Sequence, residues 1–161
     1  AQFEQLWALR ENISAAQSHE GKNIKHDISV PISRIGEFIE AASRQIRQAY
    51  PDARLIVFGH LGDGNLHFNV APHARFAQHY DEAFARDEAQ VNRLAHDLVA
   101  AYEGAISAEH GIGVLRQAEL VRYKQPLELQ MMRAIKQALD PHDRMNPGKL
   151  LPTPYTRTPY H

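Results

Sequence analysis

Two alternating apolar runs around a glycine-rich turn constrain this chain more than any other stretch: RLIVFGHL, then Gly62-Asp63-Gly64-Asn65, then LHFNVAP. A period of two broken by a Gly/Asp cluster is the signature of a β-hairpin. A two-residue type I′ turn needs positive φ at both central residues, which Asp63-Gly64 tolerates. That turn pairs His60 with His67 and Phe58 with Asn69 on one side of the ribbon. Leu55, Val57, Leu61, Leu66, Phe68 and Val70 fall on the other side, an apolar set suited to packing on helices. One face is core, and the other is available for chemistry.

The surrounding segments supply those helices. Ile24, His26, Ile28 and Val30 alternate with Lys25, Asp27 and Ser29, which predicts a strand closed by Pro31. Ser33 is the expected N-cap of a helix whose face is Ile35, Phe38, Ile39, Ala42 and Ile46 and which Tyr50-Pro51 ends. A second long helix from Asp87 to Tyr102 turns Val91, Leu94, Ala95 and Leu98 inward, with Gly104 just past its end. A short helix carrying Leu6, Leu9 and Ile13 opens the chain, and Ala105 to Ala108 reads as a strand. After the break at Gly111-Ile112-Gly113, helices are expected from about Val114 to Arg122 and from Pro126 to Leu139, stopped by Asp140-Pro141. Met145 to Lys149 is a turn. This order of elements predicts an α+β fold, an antiparallel sheet with helices packed on one face.

Composition narrows the chemistry. The 161 residues suit one domain, residues 1–151, followed by a flexible tail over 152–161. The net charge of −1 is spread without blocks, so nucleic acid is not an expected partner. Cysteine is absent, which excludes disulfides and thiolate chemistry, so any metal must use His, Asp or Glu. No apolar run approaches the roughly 20 residues of a transmembrane helix. The opening AQFEQLWALREN resembles neither a signal nor a transit peptide and reads as the continuation of a longer polypeptide. A cytoplasmic location is the expectation.

His60-x6-His67 on one face of a hairpin can offer two neutral imidazole nitrogens to a metal. With ten histidines among 161 residues, the pair equally suits hydrogen-bonded surface side chains. Ser107-Ala-Glu-His-Gly-Ile-Gly113 places a carboxylate and an imidazole at a strand end. Glu109 would complete a His₂Glu site with positions open to substrate, with His110 as a nearby base. A solvated loop whose glycines serve only positive φ is the alternative.

GHLGDGNLHFNV, SAEHGIG and DPHDRMNPGKLL, in this order and at these separations, closely resemble the C-terminal domain of the FAD-linked oxidases of the vanillyl-alcohol oxidase superfamily. The nearest branch holds the flavin-bearing component of glycolate oxidase together with D-lactate dehydrogenase and D-2-hydroxyglutarate dehydrogenase. The similarity runs from about Leu6 to Leu151. The resemblance implies a ferredoxin-like cap domain in which His60, His67 and Glu109 hold a divalent metal, zinc in the usual description. It also implies that His110 is the catalytic base and that Asn69 contacts substrate. Arg10 and Lys25 stand where the family holds the substrate carboxylate, and Ser14 where a Thr is common. Asn146 and Lys149 match the segment returning to the flavin. The implied substrate is a small D-2-hydroxyacid, and the implied partner is the chain's own N-terminal FAD domain, which binds most of the FAD. A homodimer is left open. A stand-alone His₂Glu metal hydrolase and a non-catalytic interaction module are the competing readings.

Overall fold

The computed structural model describes residues 2–19, 22–72 and 82–152. In chain order the elements are α1 (Gln2–Glu11), α2 (Ile13–His19), β1 (Ile24–Ser29), a 3-10 turn (Ile32–Arg34), α3 (Ile35–Ala49), β2 (Arg54–His60), β3 (Asn65–Ala71), α4 (Glu82–Ala101), α5 (Gln117–Tyr123) and α6 (Pro126–Leu139). They divide into two compact units, Ala1–Glu109 and His110–His161. The expected tail falls almost wholly on residues 153–161, outside the described part.

The first unit is α+β, with an antiparallel sheet in the order β1-β3-β2. Ile24 and Ile28 of β1 and Leu66, Phe68 and Val70 of β3 point into the core and are at most 5% exposed. Against them lie Phe38, Ala42 and Ile46 of α3, together with Val91, Ala95 and Val99 of α4. Phe38 sits edge-on to Phe68 at 6.1 Å and to Tyr102 at 5.5 Å, the geometry aromatic quadrupoles favour. Helices thus cover one face of the sheet.

The hairpin register corrects the expected one. Phe58 pairs with His67 and His60 with Asn65, so the loop is Leu61–Gly64 and not a two-residue turn at Asp63-Gly64. The cause lies outside the hairpin. The Val30 N–H donates to the Gly64 carbonyl at 3.1 Å, and a Cβ on Gly64 would stand 2.2 Å from the Val30 carbonyl oxygen. Gly64, at φ 78°, is therefore the loop's contact with the end of β1. The Asp63 Oδ1 accepts the Asn65 N–H at 3.0 Å and closes the loop as a side-chain turn. A shift of two residues preserves which face each side chain takes, so the two expected faces survive. Leu61 does not join the core; it is 72% exposed in the loop. Leu55 and Val57 are half-buried on β2, which lies at an edge of the sheet.

Three boundaries also move. Ser33 lies inside the 3-10 turn and caps nothing, and Arg34 precedes α3 with no side-chain cap. The second long helix begins earlier, at Glu82. The strand expected at 105–108 shrinks to one bridge, Ser29↔Ala105, with backbone hydrogen bonds of 3.0 and 2.9 Å. With that bridge as a vestigial fourth strand beside β1, the order is that of a ferredoxin-like βαββαβ unit.

In the second unit, α5 begins at Gln117, because the chain turns over 113–116. α6 has Pro126 in its first turn and a capping box in which Glu128 accepts the Gln125 N–H at 2.9 Å. Asp140 ends it, accepting the N–H groups of Arg144 at 2.9 Å and Met145 at 2.8 Å and forming an ion pair with Lys136. Those interactions, the Lys136 contact first, hold the Asp140 carboxyl down at about 2. The knot folds the chain into the turn that carries Asn146 and Gly148 at positive φ. A cavity of about 440 Å³ lies between α6 and this turn, with Met132, Ile135, Lys149 and Leu151 in its wall.

Candidate metal centre

The sheet face turned away from α3 and α4 carries Lys25, Asp27 and Ser29 of β1, Asn65, His67 and Asn69 of β3, and Ile56, Phe58 and His60 of β2. Period-2 alternation and the observed register place all nine there together. His60 and His67 are diagonal neighbours, with ring centroids 6.4 Å apart. The Phe58 ring lies against His67 at 4.8 Å and limits its rotation.

Glu109 reaches the same place from the segment that follows the vestigial strand. One ligand atom from each of His60, His67 and Glu109 lies within 4.8 Å of the others. His60 Nε2 is 3.4 Å from Glu109 Oε1. Arg10 approaches from α1, and its Nη2 donates to His60 Nε2 at 3.2 Å.

Two residues that sequence reasoning leaves unassigned hold Glu109. Asp27, 2% exposed, accepts the Ala108 N–H at 3.2 Å and the Glu109 N–H at 2.9 Å through Oδ2. Asn65, 3% exposed, donates its side-chain amide to Glu109 Oε1. Asp27 reads from sequence as one of the alternating polar residues of its strand. Asn65 reads from sequence as part of the turn.

The remaining candidates are placed as follows. Lys25 is exposed on β1, directly across from Asn69. Asn69 is buried, and its Oδ1 accepts the His26 N–H at 3.3 Å. Ser14 is exposed on α2. His110, exposed, follows Glu109 directly and is the first residue of the second unit. Asn146 and Lys149 are exposed in that unit's turn after α6, where the Asn146 carbonyl accepts the Lys149 N–H at 3.2 Å.

Residues 1–150 match the family described as FAD linked oxidases, C-terminal domain, and the chain belongs to it. Among its relatives is a D-2-hydroxyglutarate dehydrogenase of Stutzerimonas stutzeri, 40% identical over 149 residues that make up 92% of this chain and 31% of that protein. A protein of the same name from Xanthomonas citri pv. viticola is 42% identical over 153 residues, 95% of this chain and 32% of its own. The mitochondrial D-2-hydroxyglutarate dehydrogenase of Bos taurus is 38% identical over 150 residues, 92% of this chain and 25% of its own. The chain therefore spans no more than about a third of the length of these relatives. Among the described residues no helix is long and apolar enough to cross a membrane.

Proposed function

We propose that this chain is the substrate- and metal-binding portion of an FAD-dependent dehydrogenase that oxidises a D-2-hydroxyacid, with 2-hydroxyglutarate the first candidate because relatives carry that name. The observation that carries the reading is the convergence of His60, His67 and Glu109 beside Arg10. Two imidazoles and a carboxylate are a donor set of catalytic zinc sites, which keep a position open. Ligand atoms around a tetrahedral zinc stand about 3.3–3.6 Å apart given bonds of about 2.0–2.2 Å. The 3.4 Å between His60 and Glu109 fits that spacing. Arg10 sets its Nη2 3.2 Å from the same His60 Nε2 that faces Glu109, so a cation already stands at the edge of the cluster.

When bound, the metal supplies Lewis acidity toward the 2-hydroxyl, and FAD, held mainly by the protein's own N-terminal domain, supplies the hydride acceptor. The chain's own side chains do the remaining work. Arg10 and Lys25 offer two cations, one for each carboxylate of a dicarboxylic hydroxyacid, the guanidinium in bidentate fashion. Asn69, with its Oδ1 taken by His26, contributes its amide N–H groups, and Ser14 a hydroxyl. His110 accepts the hydroxyl proton. Asn146 and Lys149 serve the flavin side. On α6, Leu127, Met131, Ile135 and Leu139 recur every fourth residue and are 58–74% exposed, which supports a covering domain on that face, and we assign it to the FAD domain. A cytoplasmic location remains part of the proposal, although the bovine relative is named as mitochondrial.

Anaerobic stopped-flow flavin reduction in the full-length protein tests the reading. D-2-hydroxyglutarate is expected to reduce the flavin faster than lactate, glycolate or the L enantiomer. His110→Ala is expected to slow reduction about 10²–10⁴-fold with metal binding intact. No reduction by any 2-hydroxyacid, or reduction by His110→Ala at the wild-type rate, contradicts it.

A further inference from the structure

Asp27 is a carboxylate inside the sheet, 2% exposed, and no step above uses it. The segment leading to Glu109 starts as a strand beside β1, bonded through Ser29 and Ala105, and then leaves the ladder. The next contact is the Ala108 N–H to the Asp27 carbonyl at 3.2 Å, one residue later than the register of the bridge would give. Past that slip the Asp27 side chain takes part in place of a regular ladder. Its Oδ2 takes the N–H of Glu109 at 2.9 Å and shares that of Ala108 at 3.2 Å. Bonds from N–H groups to an ionised oxygen are roughly twice as strong as neutral ones. Asp27 also stands directly across from His67 of β3, and Asn65, opposite Ser29, bonds the Glu109 side chain. The backbone of Glu109 is thus anchored from β1 and its carboxylate from β3.

We propose that Asp27 is a positioning residue for the metal centre: it pins the backbone of residues 108–109 so that the Glu109 carboxylate stays beside His60 and His67. The inference rests on the metal reading above and deepens it. Glu109 is half exposed at the end of an interrupted strand, and a free loop there would spend little time with its oxygen near both imidazoles. Groups that orient a metal's ligands are typically worth about 10–100-fold in metal affinity.

The test is titration of chelator-treated full-length protein with Co²⁺, read by calorimetry and by the visible d–d absorption, which reports ligand geometry independently of turnover. Wild type is expected to bind one ion at the site and His60→Ala to lose it. Asp27→Ala is expected to bind about 10–100-fold more weakly with an altered absorption spectrum. Asp27→Asn keeps an acceptor but a neutral one, so it is expected to be about 3–10-fold weaker than wild type. Circular dichroism establishes that each variant is folded at the titration temperature, and if Asp27→Ala is not, Asp27→Asn decides. If wild type and His60→Ala bind alike or not at all, the metal reading itself fails. If His60→Ala loses the ion while the folded Asp27 variants bind within twofold of wild type and with its spectrum, the positioning role of Asp27 is overturned.

Discussion

Gly62 and Gly64 sit two residues apart in one loop, yet alanine should act on them in opposite directions. At Gly64 the backbone has φ 78°, where a Cβ costs about 1–2 kcal/mol. The same Cβ would lie 2.2 Å from the Val30 carbonyl oxygen, so the loop must also retreat from β1 and stretch the 3.1 Å Val30–Gly64 hydrogen bond, a further loss of about 1 kcal/mol. Gly64→Ala is therefore expected to destabilise the first unit by about 2–3 kcal/mol. Gly62 meets no atom within 4 Å and has no positive φ, so alanine there only restricts the unfolded chain and is expected to stabilise by about 0.4–1 kcal/mol. Urea unfolding followed by circular dichroism measures both, provided the slope of the transition is unchanged. Because His60 and Asn65 flank the loop, Gly64→Ala should also weaken metal binding and Gly62→Ala should not. Equal midpoints for the two variants would refute the claim that contact with Val30 sets this loop.

Arg10→Ala removes a cation that competes for His60 Nε2, so metal affinity without substrate should rise about fivefold, the equivalent of one neutral-acceptor hydrogen bond. The same variant should raise KM for the hydroxyacid, and a fall in metal affinity would contradict the competition. The Asp140 carboxyl is held at about 2 against an ordinary 3.8, so the stability it lends is complete above about pH 4 and is lost as pH falls from there toward 2. Asp140→Asn should flatten the acid limb of an unfolding curve in that window, and an unchanged limb would remove Asp140 as its source.

The faces of the hairpin are legible from sequence because alternation encodes parity, and an error of two residues in register leaves parity intact. That is why His60 and His67 can be placed on one side even with the wrong turn. The turn itself is illegible because Gly64 answers to Val30, more than thirty residues away, and not to the local demands of Asp63-Gly64. α6 matches its expected bounds, since Pro126 and Asp140-Pro141 act locally at its ends. Asp27 and Asn65 escape notice for the opposite reason. Each looks ordinary in its own segment, and only the pairing of β1 with β3 and with residue 105 brings them to Glu109. The strand expected at 105–108 carries the apolar pattern of a strand, but its ladder gives way to a side chain after one bridge, which no local pattern reports.

One ion held by His60, His67 and Glu109 is the centre of the proposed chemistry. Crystals of the full-length protein grown with Zn²⁺ and measured on both sides of the zinc absorption edge locate that ion by its anomalous signal alone. The expected peak lies about 2.0–2.2 Å from a nitrogen of each histidine and from an oxygen of Glu109. A peak bound by other residues, with these three side chains turned apart, would contradict it.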